Sequence, residues 1–174
     1  MDMSGQYRIQ APREVVWAAL NDPEVLKRCI PGCRELEQKS PTELAAKVGL
    51  KIGPITANFT GDVTLQNLNP PAGYTIVGQG SGGAAGFAKG SAEVLLTEVE
   101  GGAETDLAYT AKAEVGGKLA ALGGRLIQAT SKKLADEFFS AFAAELNEPA
   151  AGDAAATAAE PEKKSRWAKW LGRG

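Results

Sequence analysis

Cys29 and Cys33 are the only cysteines of this 174-residue chain, and it contains no histidine. Those two facts remove most of the side-chain chemistry a protein of this size can do. Two thiolates without histidine or further cysteine cannot complete a tetrahedral zinc or an iron–sulfur site. Without histidine there is no Cys-His or Ser-His nucleophile pair, and the usual general base near neutral pH is missing. Of the carboxylates, Asp62, Glu98 and Glu114 fall on the polar phase of strand-like segments and Asp106 borders a turn, so they read as solvated. No catalytic residue and no metal ligand is assigned. Cys29 and Cys33 flank Ile30-Pro31-Gly32, and read as small apolar residues of a packed turn, with a partner contact as the alternative. Gly82–Gly90 is glycine-rich but is followed by a strand pattern and lacks the Gly-Lys-Ser/Thr ending of a phosphate loop.

The C-terminus carries a different chemistry. The net charge of the chain is only -2, but it is unevenly laid out. Glu148–Glu162 is Ala/Pro/Glu-rich and has no basic residue, whereas Lys163–Gly174 has no acidic one. Lys163, Lys164, Arg166, Lys169 and Arg173 are interleaved with Trp167, Trp170 and Leu171. On a helix Trp167, Trp170 and Leu171 share one face. Tryptophan favours the headgroup zone and cations favour anionic lipid, so the expected partner is a membrane surface. So short a peptide is not a stable helix in water and would order on the bilayer. A disordered solubilising tail and a docking peptide are the alternatives. The slightly acidic body, without a basic-aromatic stripe, argues against nucleic acid.

Stepping inward, the elements follow from periodicity. Ser4–Gln10 is a short strand, Ala11-Pro12 opens a helix with Val15, Val16, Ala19 and Leu20 inward, and Pro23–Cys29 forms a second helix. Leu44–Ile52 and Ile55–Leu65 alternate with period two around Gly53-Pro54. Tyr74–Ser81, Phe87–Glu100 and Thr105–Val115 continue the sheet, with turns at Asn69–Gly73, Gly82–Gly86 and Gly101-Gly102. Lys118–Leu146 reads as one helix whose stripe is Leu119, Leu122, Leu126, Thr130, Leu134, Phe138 and Phe142. Strand, two helices, a run of antiparallel strands and a long helix make an α+β layer arrangement. A curved sheet around one helix tends to leave space between them. Gly78, Gly80, Gly82, Gly83 and Gly86 on the strands, and Gly116, Gly117, Gly123 and Gly124 before the helix, withhold side chains there, or serve as bulges and turns.

Three segments resemble a known family in the family's own order. Asp22-Pro-Glu-Val-Leu-Lys-Arg-Cys-Ile-Pro-Gly-Cys33, Gly82-Gly-Ala-Ala-Gly-Phe-Ala-Lys-Gly-Ser-Ala-Glu93 and Val115-Gly-Gly-Lys-Leu-Ala-Ala-Leu-Gly-Gly-Arg-Leu126 are similar to signatures of the carbon monoxide dehydrogenase G-subunit family. The resemblance implies a START-like helix-grip fold, in which a seven-stranded antiparallel sheet grips the C-terminal helix around an apolar cavity. It also implies company: a carbon monoxide dehydrogenase-type molybdenum hydroxylase as partner, and a respiratory quinone, menaquinone or ubiquinone, as carried ligand with no covalent cofactor. Candidate lining residues are Leu50, Ile55, Phe59, Val63, Tyr74, Ile76, Phe87, Val94, Leu96, Tyr109, Leu119, Leu122, Leu126 and Ile127, any of which equally suits the core. Tyr74 and Tyr109 would offer a hydroxyl to a quinone carbonyl, and Phe87 would tip a mobile mouth.

The expected organisation is a helix-grip domain over 1–147, a flexible linker over 148–162 and a membrane-binding tail over 163–174. The linker would reach on the order of 20 Å. Met1–Gln10 is polar and unlike a signal peptide, and no segment approaches a membrane span. The expectation is therefore a cytoplasmic protein with reduced thiols, peripheral on the inner face of the cell membrane. Its expected role is to take up quinone and deliver it to the partner. The alternatives are an adaptor that recruits the enzyme without transport and a START-like enzyme acting on an aromatic or polyketide substrate.

Overall fold

The computed structural model of the chain describes residues 1–151, with side chains as far as Leu146. The expected tail, and all of the expected linker beyond 151, lie outside the described residues. Seven antiparallel strands form one sheet in the order β1-β7-β6-β5-β4-β3-β2. They are β1 (Asp2–Ile9), β2 (Cys33–Ser40), β3 (Glu43–Ile52), β4 (Ile55–Asn69), β5 (Gly73–Ser81), β6 (Phe87–Val99) and β7 (Glu104–Gly116). Helices α1 (Arg13–Leu20) and α2 (Pro23–Cys29) lie between β1 and β2, and α3 (Gly124–Ala151) closes the fold. From β2 onward the strands follow one another as a meander. β1 pairs with β7, from Asp2 opposite Lys112 to Ile9 opposite Thr105.

Local chemistry sets the boundaries. Pro23 takes the first turn of α2, where its missing N–H is no loss, and the Asp22 carboxylate accepts a hydrogen bond from the Glu24 N–H at 3.0 Å. α1 ends at Asn21, whose side-chain amide donates to the Trp17 carbonyl at 2.9 Å. The buried Thr105 hydroxyl donates to the Ala11 carbonyl at 2.8 Å and pins the approach to α1 onto β7.

Two elements depart from expectation. Cys33–Ser40, given no element of its own in the sequence reading, is the edge strand β2. Arg34, Glu35, Glu37 and Lys39 hide its period, and charge is what an exposed edge carries to avoid pairing with another chain. The last helix begins at Gly124, not Lys118. Residues Gly117–Leu122 form a 3-10 turn that ends at Gly123, whose φ is 91°, so the helical phase restarts there.

The interior divides along the strand direction. At one end Ile9, Val15, Val16, Val25, Leu107, Phe142 and Leu146 form the main core between the sheet, α1, α2 and the later turns of α3. At the other, Ile52, Leu119 and Ile127 form a smaller cluster under the first turns of α3.

Candidate ligand-binding cavity

The strand register explains why the second end is not filled. Ala46, Gly61, Gly80, Ala88 and Val115 stand opposite one another across β3 to β7. Directly opposed residues in antiparallel strands share a face, so this row crosses the inner face of five strands with nothing larger than valine. The next inner row, Leu44–Val63–Gly78–Gly90–Ala113, holds two glycines and an alanine. Two rows beyond that, Tyr74, Val94 and Tyr109 stand opposite one another and fill the space to the helix.

Above the small-residue row lies a cavity of about 420 Å³, within the range of small-molecule sites. Val48, Leu50, Ile52, Phe59 and Val63 form one wall, and Leu119, Ile127 and Leu134 the other. Leu119, Ile127 and Ile52 are only 2%, 6% and 9% exposed and seal the bottom. Ile30, Pro31, Thr130, Ser131 and Leu134 are half-buried and rim an opening between α3 and the turn after α2. Among the described residues Thr130 and Ser131 are the only polar side chains of the lining, and none of the lining residues is titratable.

The turn at the rim is fixed to the sheet. Gly32 has φ of 71°, and the Gly49 N–H donates to its carbonyl at 2.9 Å. A Cβ on Gly32 would meet the Gly49 carbonyl oxygen at 2.0 Å. The Pro31-Gly32 pair therefore seats the turn on β3 and presents Ile30 and Pro31 to the opening.

Of the fourteen candidate lining residues, the structure brings Leu50, Phe59, Val63, Leu119 and Ile127 together around this cavity. Ile55 and Leu122 pack beside it against the smaller cluster. Tyr74, Val94, Leu96 and Tyr109 belong to the main core instead, with Ile76 packed against them. They share the inner face but sit too far along the strands. Phe87 corrects a further expectation. It stands opposite Gly116 and Ser81, one residue off the cavity row and thus on the outer face, where it is 47% exposed and its ring covers Gly116. Leu126 is 36% exposed and lies over Gly53, because the restarted helix turns Ile127 inward in its place. Ile30, Pro31, Ala46, Val48, Ile52, Gly61, Ala88, Val115, Thr130, Ser131 and Leu134 line the cavity without having been singled out as lining residues. The signal that finds the strand members is the register, not the alternation.

The glycines behave similarly. Gly80 lines the cavity. Gly82 lies under the Phe59 ring, Gly116 under Phe87, Gly117 against Gly86, and Gly123 and Gly124 face open space, so the glycines before α3 do not enlarge the cavity.

The tyrosines lie away from the cavity lining. Tyr7 donates to the Asp136 carboxylate of α3, and its ring stacks on Phe139 at 4.5 Å. Burial, then the bond to Asp136, pushes the Tyr7 phenol well up. Burial, then the nearby Asp136 carboxylate, also raises Tyr109. Tyr74 is buried edge-on to Trp17, and that burial raises it too. Burial pushes the Cys29 thiol up to about 11, so it is protonated at neutral pH, and Cys33 is raised by burial as well. Asp62, Glu98 and Glu114 lie within ion-pair distance of Lys39, Arg13 and Lys89, respectively. Among the described residues no group of Cys, Asp and Glu is placed to hold a metal ion, and no helix is long and apolar enough to cross a membrane. The basic-aromatic residues 163–174 lie outside the described residues.

A family model described as the G subunit of carbon monoxide dehydrogenase (CoxG) matches residues 5–147. Among solved structures, a conserved protein from Geobacillus kaustophilus is 30% identical, with a TM-score of 0.80 over 85% of this chain and 96% of its own. A START superfamily protein from Mycobacterium smegmatis is 13% identical with a TM-score of 0.66, over 84% of this chain and 97% of its own. The Zhui aromatase/cyclase from Streptomyces sp. R1128 is 13% identical with a TM-score of 0.64, over 86% of this chain and 95% of its own. At those two identities the likeness is one of fold, START-like and helix-grip. No curated protein matches the chain significantly.

Proposed function

The chain belongs to the carbon monoxide dehydrogenase G-subunit (CoxG) family, and from that premise we propose that it is an accessory protein that carries a respiratory quinone to a carbon monoxide dehydrogenase-type molybdenum hydroxylase. The observation that carries this reading is the apolar cavity of about 420 Å³ under the first turns of α3. Fold alone does not choose between carrier and catalyst, but the lining favours the carrier. An acid, base or nucleophile has to reach the reacting atom, and the described lining offers only the Thr130 and Ser131 hydroxyls. Those hydroxyls suit a ligand carbonyl near the opening, as donors for a group that enters last. They replace Tyr74 and Tyr109 in that role.

In this reading residues 163–174 hold the protein on the inner face of the cell membrane, residues beyond α3 give reach, and electrons pass to the quinone from the partner's own cofactors. Organic extraction of the natively purified protein, followed by mass spectrometry, is expected to yield a quinone. Protein that is empty and also takes up no added ubiquinone with one isoprene unit would refute the carrier. Recruitment of the enzyme without transport would then be the role that is left.

A further inference from the structure

The charges of the folded body separate along the strand direction. Lys47, Thr60, Ser81, Phe87 and Gly116 stand opposite one another and mark a line across the sheet. Four segments reach past it: the turn over 30–34, the β3–β4 hairpin over 49–57, the loop over 82–86 and the connection over 117–125. Every charged side chain in them is a cation, namely Arg34, Lys51, Lys118 and Arg125. All four are exposed, and none has an ion-pair partner among the described residues. Between them Pro54, Ala84, Ala120, Ala121, Phe87 and Leu126 are exposed. The opposite end carries Glu98, Glu100, Glu104 and Asp106 against Arg8 and Arg13.

We propose that this cationic end is a lipid-docking face of the folded body, selective for anionic headgroups and separate from residues 163–174. Cations on separate segments, spaced by small and apolar tips, present no single line of charge along which a peptide would lie. They suit a broad, negatively charged surface, to which each cation adds roughly a five-fold gain in partitioning. The exposed Phe87 ring and Leu126 side chain suit the boundary between headgroup and acyl chain. Leu68 and Leu95 are also exposed, but near the opposite turns, where the acidic residues oppose an anionic bilayer. Directly behind the cationic face, Ile52, Leu119 and Ile127 close the cavity, so docking brings the cavity end to the bilayer. This rests on the carrier reading for its purpose, while the contact itself is testable with no ligand present.

The experiment uses the full chain with Lys163, Lys164, Arg166, Lys169 and Arg173 all changed to Gln, sedimented with vesicles of equal phosphatidylglycerol and phosphatidylcholine, and with phosphatidylcholine alone. Residual binding is expected on the anionic vesicles only. Adding Lys51→Gln, Lys118→Gln and Arg125→Gln is expected to weaken it on the order of a hundred-fold, whereas Glu98→Gln with Glu100→Gln is expected not to weaken it. Ala84→Cys labelled with nitrobenzoxadiazole, in a Cys33→Ser background, should shift to the blue on the anionic vesicles. Residual binding that ignores the three substitutions, or a label at position 84 that stays silent, overturns the proposal. Uptake of ubiquinone with one isoprene unit, measured without vesicles, reports on the carrier reading alone, so failure of one is distinguishable from failure of the other.

Discussion

Gly61 of β4 stands directly opposite Gly80 of β5, and the two form part of the cavity wall with backbone alone. A Cβ at Gly80 would lie 3.6 Å from the Thr60 carbonyl oxygen and 3.8 Å from the Gly61 Cα, which is ordinary contact. Gly80→Val should therefore fold. Valine also suits a strand and removes the entropic cost of glycine, about 0.5–1 kcal/mol. The expected result is an unchanged or slightly raised melting temperature, with affinity for a short-chain quinone at least roughly ten-fold weaker because the side chain occupies the ligand's space. Thermal denaturation and a fluorescence titration read the two effects separately. Gly124→Leu is a contrasting control, since position 124 faces open space and is not held at a positive φ.

Gly32 shapes the opening from the other side. Gly32→Ala would place a methyl against the backbone oxygen of Gly49 and hold alanine at φ of 71°. Strain of that kind costs about 1–3 kcal/mol before any clash is relieved. Urea denaturation should show a loss at or above that range. Proteolysis should cut first near Ile30–Gly32, where the turn lifts from β3.

The Tyr7 hydroxyl clasps β1 to α3 through Asp136, and Lys132 lies 3.8 Å from the same carboxylate. Tyr7→Phe keeps the stack on Phe139 and removes only the hydrogen bond. The expected loss is about 1–2 kcal/mol, discounted for partial exposure of the pair. A double-mutant cycle with Asp136→Asn should recover most of that value as coupling, whereas additive losses would show that the bond contributes little.

Cys29 predicts a pH dependence. Burial, followed by the nearby Glu145 carboxylate, raises its thiol from an ordinary 9.0 to about 11, with Arg28 opposing. The folded state therefore holds this proton more tightly than the unfolded chain. The stability it contributes is complete below pH 9 and is lost as pH rises from 9 towards 11. The urea midpoint should stay level from about pH 7 to 9 in this respect and then fall, less steeply in Cys29→Ala. At about pH 8 iodoacetamide should alkylate half-buried Cys33 before buried Cys29, as peptide mass spectrometry would show.

Most elements were legible because their signals are local. Leu44–Ile52 and Ile55–Leu65 alternate cleanly, and Asp22-Pro23 caps and opens α2 by side-chain chemistry alone. Edge strand β2 was hidden because its exposed positions carry charge on both phases. The cavity was half legible for a different reason. Alternation tells which face a residue takes, not how far along the sheet it sits, so Tyr109 and Val115 look equivalent in sequence although one fills the core and the other lines the cavity. Only the register aligns Ala46, Gly61, Gly80, Ala88 and Val115 into a row, and only the 3-10 turn at Gly117–Leu122 explains why Ile127, not Leu126, faces in.

The carrier role requires a hydrophobic molecule to enter the space under α3, and methyl nuclear magnetic resonance locates such a molecule directly. Ubiquinone with one isoprene unit, titrated into the Ile/Leu/Val methyl-labelled full chain, should saturate at one equivalent. It should shift Ile52, Val115, Leu119 and Ile127 while leaving Val15 and Leu107 in place. Unmoved cavity methyls at saturating quinone, or shifts confined to outward residues such as Leu95, would contradict that role.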